Sequence, residues 1–310
     1  MTSRYDRLIA ACAKLPPTTV AVAHPCDATS IESALAAMRA GIITPILVGP
    51  QAKVAAAAAA AGVSLEGIEQ VDAPHSDAAA EIAVSLVREG RAEALMKGSL
   101  HTDELMRPVV AKEGLRTKRR VSHCFVMDVP GHADPLIISD AAVNIAPTLA
   151  EKADITQNAI DLAHALGFQQ VRVAILSAME TVNPAVPSTI EAAALCKMAD
   201  RGQITGGVLD GPLALDNAID ADAAAIKKIV SPVAGRANVL IVPDLEAGNM
   251  LAKSLTFLAG AAAAGVVLGA RVPIILTSRA DSLETRIASC AIAALVAAGR
   301  RAMPVRALGD

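Results

Sequence analysis

Short apolar runs that stop at a breaker, each followed by a stretch of helical spacing, recur along nearly the whole chain. The runs 19–23, 45–48, 94–96, 121–127, 136–138, 171–176, 208–209, 239–242 and 272–276 predict strands. The stretches 30–40, 54–61, 77–89, 154–166, 190–201 and 251–264 predict helices. Strands alternating with helices of this length imply a mostly parallel sheet, or two of them, covered by helices. With 310 residues the chain suits two domains or one large α/β unit. Hydrophobic residues make up 53% but aromatics only 1%, so the core is built from Ala, Val, Ile and Leu.

The same composition excludes several partners. A net charge of −3, one Tyr, three Phe and no Trp leave no base-stacking platform, so no nucleic acid is expected. The five cysteines (Cys12, Cys26, Cys124, Cys196, Cys290) form no CxxC pair, which fits a reduced, cytoplasmic chain with buried thiols. His24 stands near Cys26 and His123 beside Cys124; His123 and Cys124, as strand neighbours, face opposite ways and do not easily share a ligand. The most membrane-like segment, 255–268, is broken by Gly260 and Gly265. A spanning helix needs ~20 apolar residues. The segment is therefore read as a buried helix followed by a strand, with no membrane association and no signal peptide. Small molecules are the expected partners.

Four segments bear chemistry. The run 272–276 empties into Thr277-Ser278-Arg279-Ala280-Asp281-Ser282, with a helix expected from Ser282. A hydroxyl, a guanidinium and a carboxylate thus share one strand end, the edge where open α/β sheets bind ligands. An Arg beside a helix start suits phosphate, although a capped surface turn accounts for the segment equally well. In Lys97-Gly98-Ser99-Leu100-His101-Thr102, Gly98 lets the backbone approach a ligand while Ser99 and Thr102 offer hydroxyls. Arg107 follows far enough into that helix to fold back toward the strand mouth. The Gly spacing matches neither a dinucleotide fingerprint nor a P-loop. Asp244, Glu246 and Asn249 are expected at the exit of 239–242. Asp210 and Asp216 pair two carboxylates without a third ligand, so no metal is expected and Asp216 reads as a helix cap. The basic run 113–120 reads as a solvated turn or as a mobile loop that steers a polyphosphate.

Together these segments resemble the phosphate acetyltransferase/phosphate butyryltransferase family. The carriers are Lys97-Gly98-Ser99 through Arg107-Pro108, Asp140-Ala141-Ala142-Val143-Asn144 and Asp210-Gly211-Pro212-Leu213. The stretches 231–240 and 243–249 and the pair Ser278-Arg279 add to them. The resemblance implies a two-domain α/β/α architecture with mostly parallel sheets, like isocitrate and isopropylmalate dehydrogenases, with an active-site cleft between domains. On this sequence the domains would be 1–128 plus 271–310, and 129–270. It implies a homodimer and no resident cofactor, with CoA or acyl-CoA and phosphate as substrates. The implied reaction moves a short-chain acyl group, acetyl or butyryl, between CoA and phosphate by direct attack in a ternary complex. Arg279 would bind phosphate and stabilise the transition state, and Ser278 would hydrogen-bond the reacting group. Lys97, Ser99, Thr102 and Arg107 would line the phosphate side, and Asn249 would shape the cleft. One position departs from the family. Acetyl-specific members carry an Asp base where this chain has Thr285, which leaves Asp281 or no base at all and leans the chain toward the butyryl branch or a less studied relative. The rival readings are a carrier-protein-linked phosphate acyltransferase and a non-catalytic CoA- or phosphate-binding regulator.

Overall fold

The structure is a computed structural model that describes residues 4–132, 134–277 and 281–302. Its chain forms two compact units, one of residues up to Arg119 and from Ala264 onward, the other of Arg120–Ala263. The first unit opens with α1 (Arg4–Cys12), β1 (Thr18–Ala23), α2 (Ala28–Arg39), β2 (Ile43–Val48) and α3 (Gln51–Ala61). It continues through β3 (Glu69–Val71), α4 (Ser76–Arg88), β4 (Ala94–Lys97) and α5 (Thr102–Val110). The second unit holds β5 (Ser122–Asp128), β6 (Leu136–Ser139), α6 (Leu149–Ala165), β7 (Arg172–Leu176) and α7 (Pro187–Asp200). To these it adds β8 (Val208–Leu213), α8 (Leu215–Ile219), α9 (Ala221–Ile226), β9 (Val239–Ile241) and α10 (Leu245–Ala259). The chain then returns to the first unit through β10 (Ala262–Leu268), β11 (Ile274–Ile275) and α11 (Leu283–Ala302).

In the first unit the strand order is β3-β2-β1-β4-β11-β10, parallel up to β11 and antiparallel between β11 and β10. In the second it is β5-β6-β9-β7-β8, where only β5 and β6 run antiparallel. Val20, Ala21, Val22 and Ala23 are wholly buried, as strands covered on both faces require. Polar residues set the helix starts. Asp27 accepts from the Ser30 N–H at 2.7 Å to cap α2, and Asp244 accepts from the Ala247 N–H at 2.8 Å to cap α10. At the chain's beginning Tyr5 is buried, and its hydroxyl accepts from the Ala264 N–H of β10 at 2.8 Å.

Several expectations shift. The helix predicted over 251–264 is α10, six residues earlier at its start and ended at Gly260, whose φ of 68° is left-handed. Beyond it the Ala-rich run forms β10, the strand expected after that helix, beginning at Ala262. Nor is α10 a buried helix: Met250, Phe257 and Leu258 stand exposed on it. The strand predicted at 272–276 narrows to Ile274–Ile275. Asp216 lies in the first turn of α8 rather than at its cap, 3.8 Å from Lys227 Nζ. The contacts divide the chain at 119/120 rather than at 128/129, because β5 pairs with β6. Among the described residues no helix is long and apolar enough to cross a membrane.

Candidate active site

Three neighbouring parallel strands of the first unit end side by side. Val22 of β1, Met96 of β4 and Ile275 of β11 share one row. Past that row the chain runs into His24, into Gly98 and Ser99, and into Thr277. Gly98 is required there by contact: a Cβ would stand 2.4 Å from the Ala23 carbonyl oxygen and 2.5 Å from that of His24. With no side chain in the way, Gly98 N–H donates to Ala23 O and Ser99 N–H to His24 O, both at 2.9 Å. The Ser99 hydroxyl donates to His24 O at 2.9 Å, accepts from the Cys26 N–H at 3.1 Å, and lies 3.3 Å from His24 Nδ1. His24 itself has a φ of 52°, left-handed for a residue that is not glycine.

Charge is arranged around this turn. Burial, with help from the Lys53 ammonium, holds the His24 imidazole below its ordinary pKa, while Glu104 and Asp27 oppose that shift. Glu104 accepts from Ser76 Oγ and from the His101 N–H, both at 2.6 Å, which ties α5 to α4 and lowers its carboxyl pKa. Lys97 bends back over the turn, its Nζ donating to Leu100 O at 3.1 Å. Thr102 is exposed at the first position of α5. Arg107 does not fold back toward the strand mouth as expected. Its Nη2 donates to Asp77 Oδ1 at 2.8 Å, because the first turn of α4 presents a carboxylate to that face of α5. The pair lines an open groove of about 300 Å³ together with Glu81, Arg88 and Glu104.

On the β11 side, Ser278 and Arg279 lie outside the described residues. Asp281 is half-buried. Ser282, rather than Asp281, caps the start of α11: its hydroxyl accepts from the Thr285 N–H at 3.2 Å and meets Thr285 Oγ1 at 3.0 Å. Thr285 is buried and spent in that cap. Arg286 then reaches α2, donating from Nη1 to Thr29 O at 3.1 Å and to Ser33 Oγ at 2.9 Å. These bonds draw the α11 start toward the same part of the unit as His24, which lies shortly before α2.

In the second unit the exit of β6 is organised by Asp140. Its buried carboxylate accepts from the N–H groups of Ala142, Val143 and Asn144 at 2.9, 3.1 and 3.1 Å, and from Asn144 Nδ2 at 2.5 Å. Asn144 Oδ1 in turn accepts from Arg120 Nε at 2.6 Å. Asn249 of α10 donates to Ala141 O at 3.2 Å, so it braces this exit. The structure therefore gathers Lys97 and Ser99 at one strand edge, carries Arg107 outward on α5, and places Asn249 in the other unit.

The cysteines offer no nucleophile. Burial pushes the thiols of Cys124, Cys196 and Cys290 up to about 12 and that of Cys12 to about 11. All five are free thiols. Sequence reasoning passed over His24, because a His beside a Pro and a Cys carries no pattern. Its partner Ser99 is 75 positions away. It met Asp140 only as part of a motif, although an Asp at a strand exit can close a turn on the amide two residues on, as Asp140 does with Ala142.

Comparisons of sequence with known proteins point to one family. Residues 75–294 match the family model described as "Phosphate acetyl/butaryl transferase". A phosphate acetyltransferase of Rhizobium meliloti is 66% identical over 307 residues, 99% of this chain and 97% of that protein. A phosphate butyryltransferase of Clostridium acetobutylicum is 42% identical over 282 residues, 91% of this chain and 94% of its own. Among solved structures, a branched-chain phosphotransacylase from Enterococcus faecalis V583 superposes with a TM-score of 0.79. It is 30% identical and covers 90% of this chain and 99% of that one. With the family match spanning well over half its length, the chain belongs to the phosphate acetyl/butyryl transferase family of acyltransferases.

Proposed function

We propose that this protein exchanges a short-chain acyl group, acetyl before butyryl, between CoA and inorganic phosphate. The near-full-length identity of 66% to a phosphate acetyltransferase carries the reading. It exceeds the 42% to a butyryltransferase, and on that ground the lean toward the butyryl branch is given up. A phosphate oxygen attacks the thioester carbonyl carbon in a ternary complex. The C–O bond forms, the C–S bond breaks, CoA leaves as thiolate, and acyl phosphate remains. Such a step needs the reactants held in line and fixed donors for the carbonyl oxygen.

In this reading Arg279 binds phosphate and steadies the developing charge, while Ser278 hydrogen-bonds the reacting group. Lys97 and Thr102 add donors on the phosphate side. Arg107 joins them by exchanging Asp77 for the substrate anion, which costs little because an exposed ion pair is worth about 0–1 kcal/mol. Ser99 supports the pocket through the turn it holds, and Asn249 through the β6 exit it braces. Asp281 is the candidate carboxylate before the α11 start once Thr285 is engaged in the cap. No resident cofactor enters this scheme; CoA and phosphate come and go as substrates. A homodimer is part of the same reading, supported by the exposed Met250, Phe257 and Leu258 on α10. Its setting is the cytoplasm, which suits five free cysteines. A carrier-protein substrate and a non-catalytic regulator are not favoured by the relatives' names.

The experiment is phosphate-dependent release of free CoA thiol from acetyl-, propionyl- and butyryl-CoA at matched concentrations. Release that needs phosphate and is fastest from acetyl-CoA is expected. No release from any of the three, with CoA still bound, would overturn the reading.

A further inference from the structure

We propose that His24 is the proton-transfer residue for the CoA sulfur, accepting the thiol proton in acyl-CoA synthesis and returning it in the opposite direction. The inference rests on the acyl-transfer reading above. It answers a gap in that reading: the family's base position is Thr285, buried and closed in a cap with Ser282.

The Ser99 hydroxyl fixes the setting of the imidazole: it lies 2.9 Å from the His24 carbonyl oxygen and 3.3 Å from Nδ1, and accepts from the Cys26 N–H at 3.1 Å. In the proposed form Nδ1–H donates to that hydroxyl, which leaves the lone pair of the neutral ring on Nε2. The ring is half-buried at the exit of β1, the strand next to β4, whose own exit carries Lys97 and Ser99.

Backbone geometry points the same way. Among the described residues, two that are not glycine have a positive φ, His24 at 52° and Lys228 at 56°. Lys228 is exposed just past the end of α9, an ordinary place for that conformation. His24 is held there by bonds from its own N–H to Val48 O at 2.7 Å and to its carbonyl from Ser99 and Cys26 N–H groups, each at 2.9 Å. Strain kept in place by many bonds gathers at functional sites. The charged groups facing the ring are Lys53 on α3, Glu104 on α5 and Asp27 at the α2 cap. Burial and Lys53 favour the neutral imidazole, the form that a base requires.

The proton balance closes in both directions. In acyl-CoA synthesis the thiol sulfur attacks the acyl phosphate carbonyl and its proton moves to Nε2. The C–S bond forms, the C–O bond breaks, and phosphate departs. In the reverse direction the imidazolium returns that proton to the leaving thiolate.

The test is the pH profile of acyl-CoA synthesis from acetyl phosphate and CoA for wild type, His24→Asn and Asp281→Asn. Asn accepts a left-handed φ, so the turn is kept; thermal melting checks the fold. His24→Asn is expected to lose about 10²-fold at pH 7. That deficit should narrow above pH ~8.5, where a thiol ionises unaided, and added imidazole should restore part of it. Asp281→Asn, whatever its effect on rate, should retain the pH limb that His24→Asn loses. A loss below threefold, a deficit equal at every pH, or a lost pH limb in Asp281→Asn alone would overturn the inference. Independently of any variant, ¹⁵N spectra of histidine-labelled protein should show a neutral ring with Nδ1–H; an Nε2–H ring at His24 would overturn it too. A wild type without phosphate-dependent turnover would instead remove the acyl-transfer reading, and the inference with it.

Discussion

At Gly98 a single missing methyl group decides how two strand exits meet. Carbonyl oxygens of Ala23 and His24 occupy the space a Cβ would need, and both are backbone atoms that cannot swing aside. Gly98→Ala is therefore expected to push β4's exit away from β1. Overpacking of this kind costs about 1–3 kcal/mol, visible as a lower urea midpoint. Turnover should fall further than stability alone explains, since Ser99 would lose its grip on His24 and Cys26. A variant with full activity and an unchanged midpoint would refute the close approach. Ser99 shows how far a sequence motif carries. Lys97-Gly98-Ser99 is visible as a strand exit, yet the target of the hydroxyl is not, because that target lies in a turn far upstream.

Elements were legible where pattern and breaker agree. The runs behind β1 and β2 are β-branched or apolar, short, and bounded by turns, and they form strands close to the expected limits. The region from Leu245 to Leu268 was harder, because Ala is compatible with both helix and strand. Only the left-handed Gly260 and pairing with β11 separate α10 from β10. The same misreading hid the apolar face of α10, which a buried helix would not have shown. Phe257 is 78% and Leu258 87% exposed, an arrangement that soluble chains usually cover with a partner. Under the proposed homodimer, Phe257→Glu combined with Leu258→Glu should lower the mass in light scattering from that of two chains to that of one, with the fold of each chain retained. An unaltered mass would remove α10 from the interface. Arg107 belongs to this scale too: its position on α5 was readable, its partner Asp77 on α4 was not, since that pairing depends on how two helices pack.

For the whole molecule, acid is the revealing variable. His123 is buried against Phe125 with ring centroids 4.4 Å apart, and burial pulls its pKa down to about 4 although Asp140 opposes the shift. In the unfolded chain a His takes up its proton near pH 6.5. Between those values the unfolded state binds more protons, so stability falls as pH drops through the window. His123→Leu should flatten that slope in denaturant titrations between pH 7 and pH 4; a slope as steep as wild type would place the acid sensitivity elsewhere. The overall α/β class could be read from alternation alone. A buried His in β5 could not, because nothing local distinguishes it from a solvated one.

The hydroxyl of Tyr5 ties the first helix to Ala264, a residue that follows the second unit in the chain. Because the protein has no Trp and this one Tyr, the bond also makes the molecule its own optical probe. Near-ultraviolet emission arises essentially from a single ring, whose quenching reports whether α1 sits on β10. Unfolding watched by that light and by far-ultraviolet dichroism therefore compares one docking contact with the backbone as a whole, without any label being added.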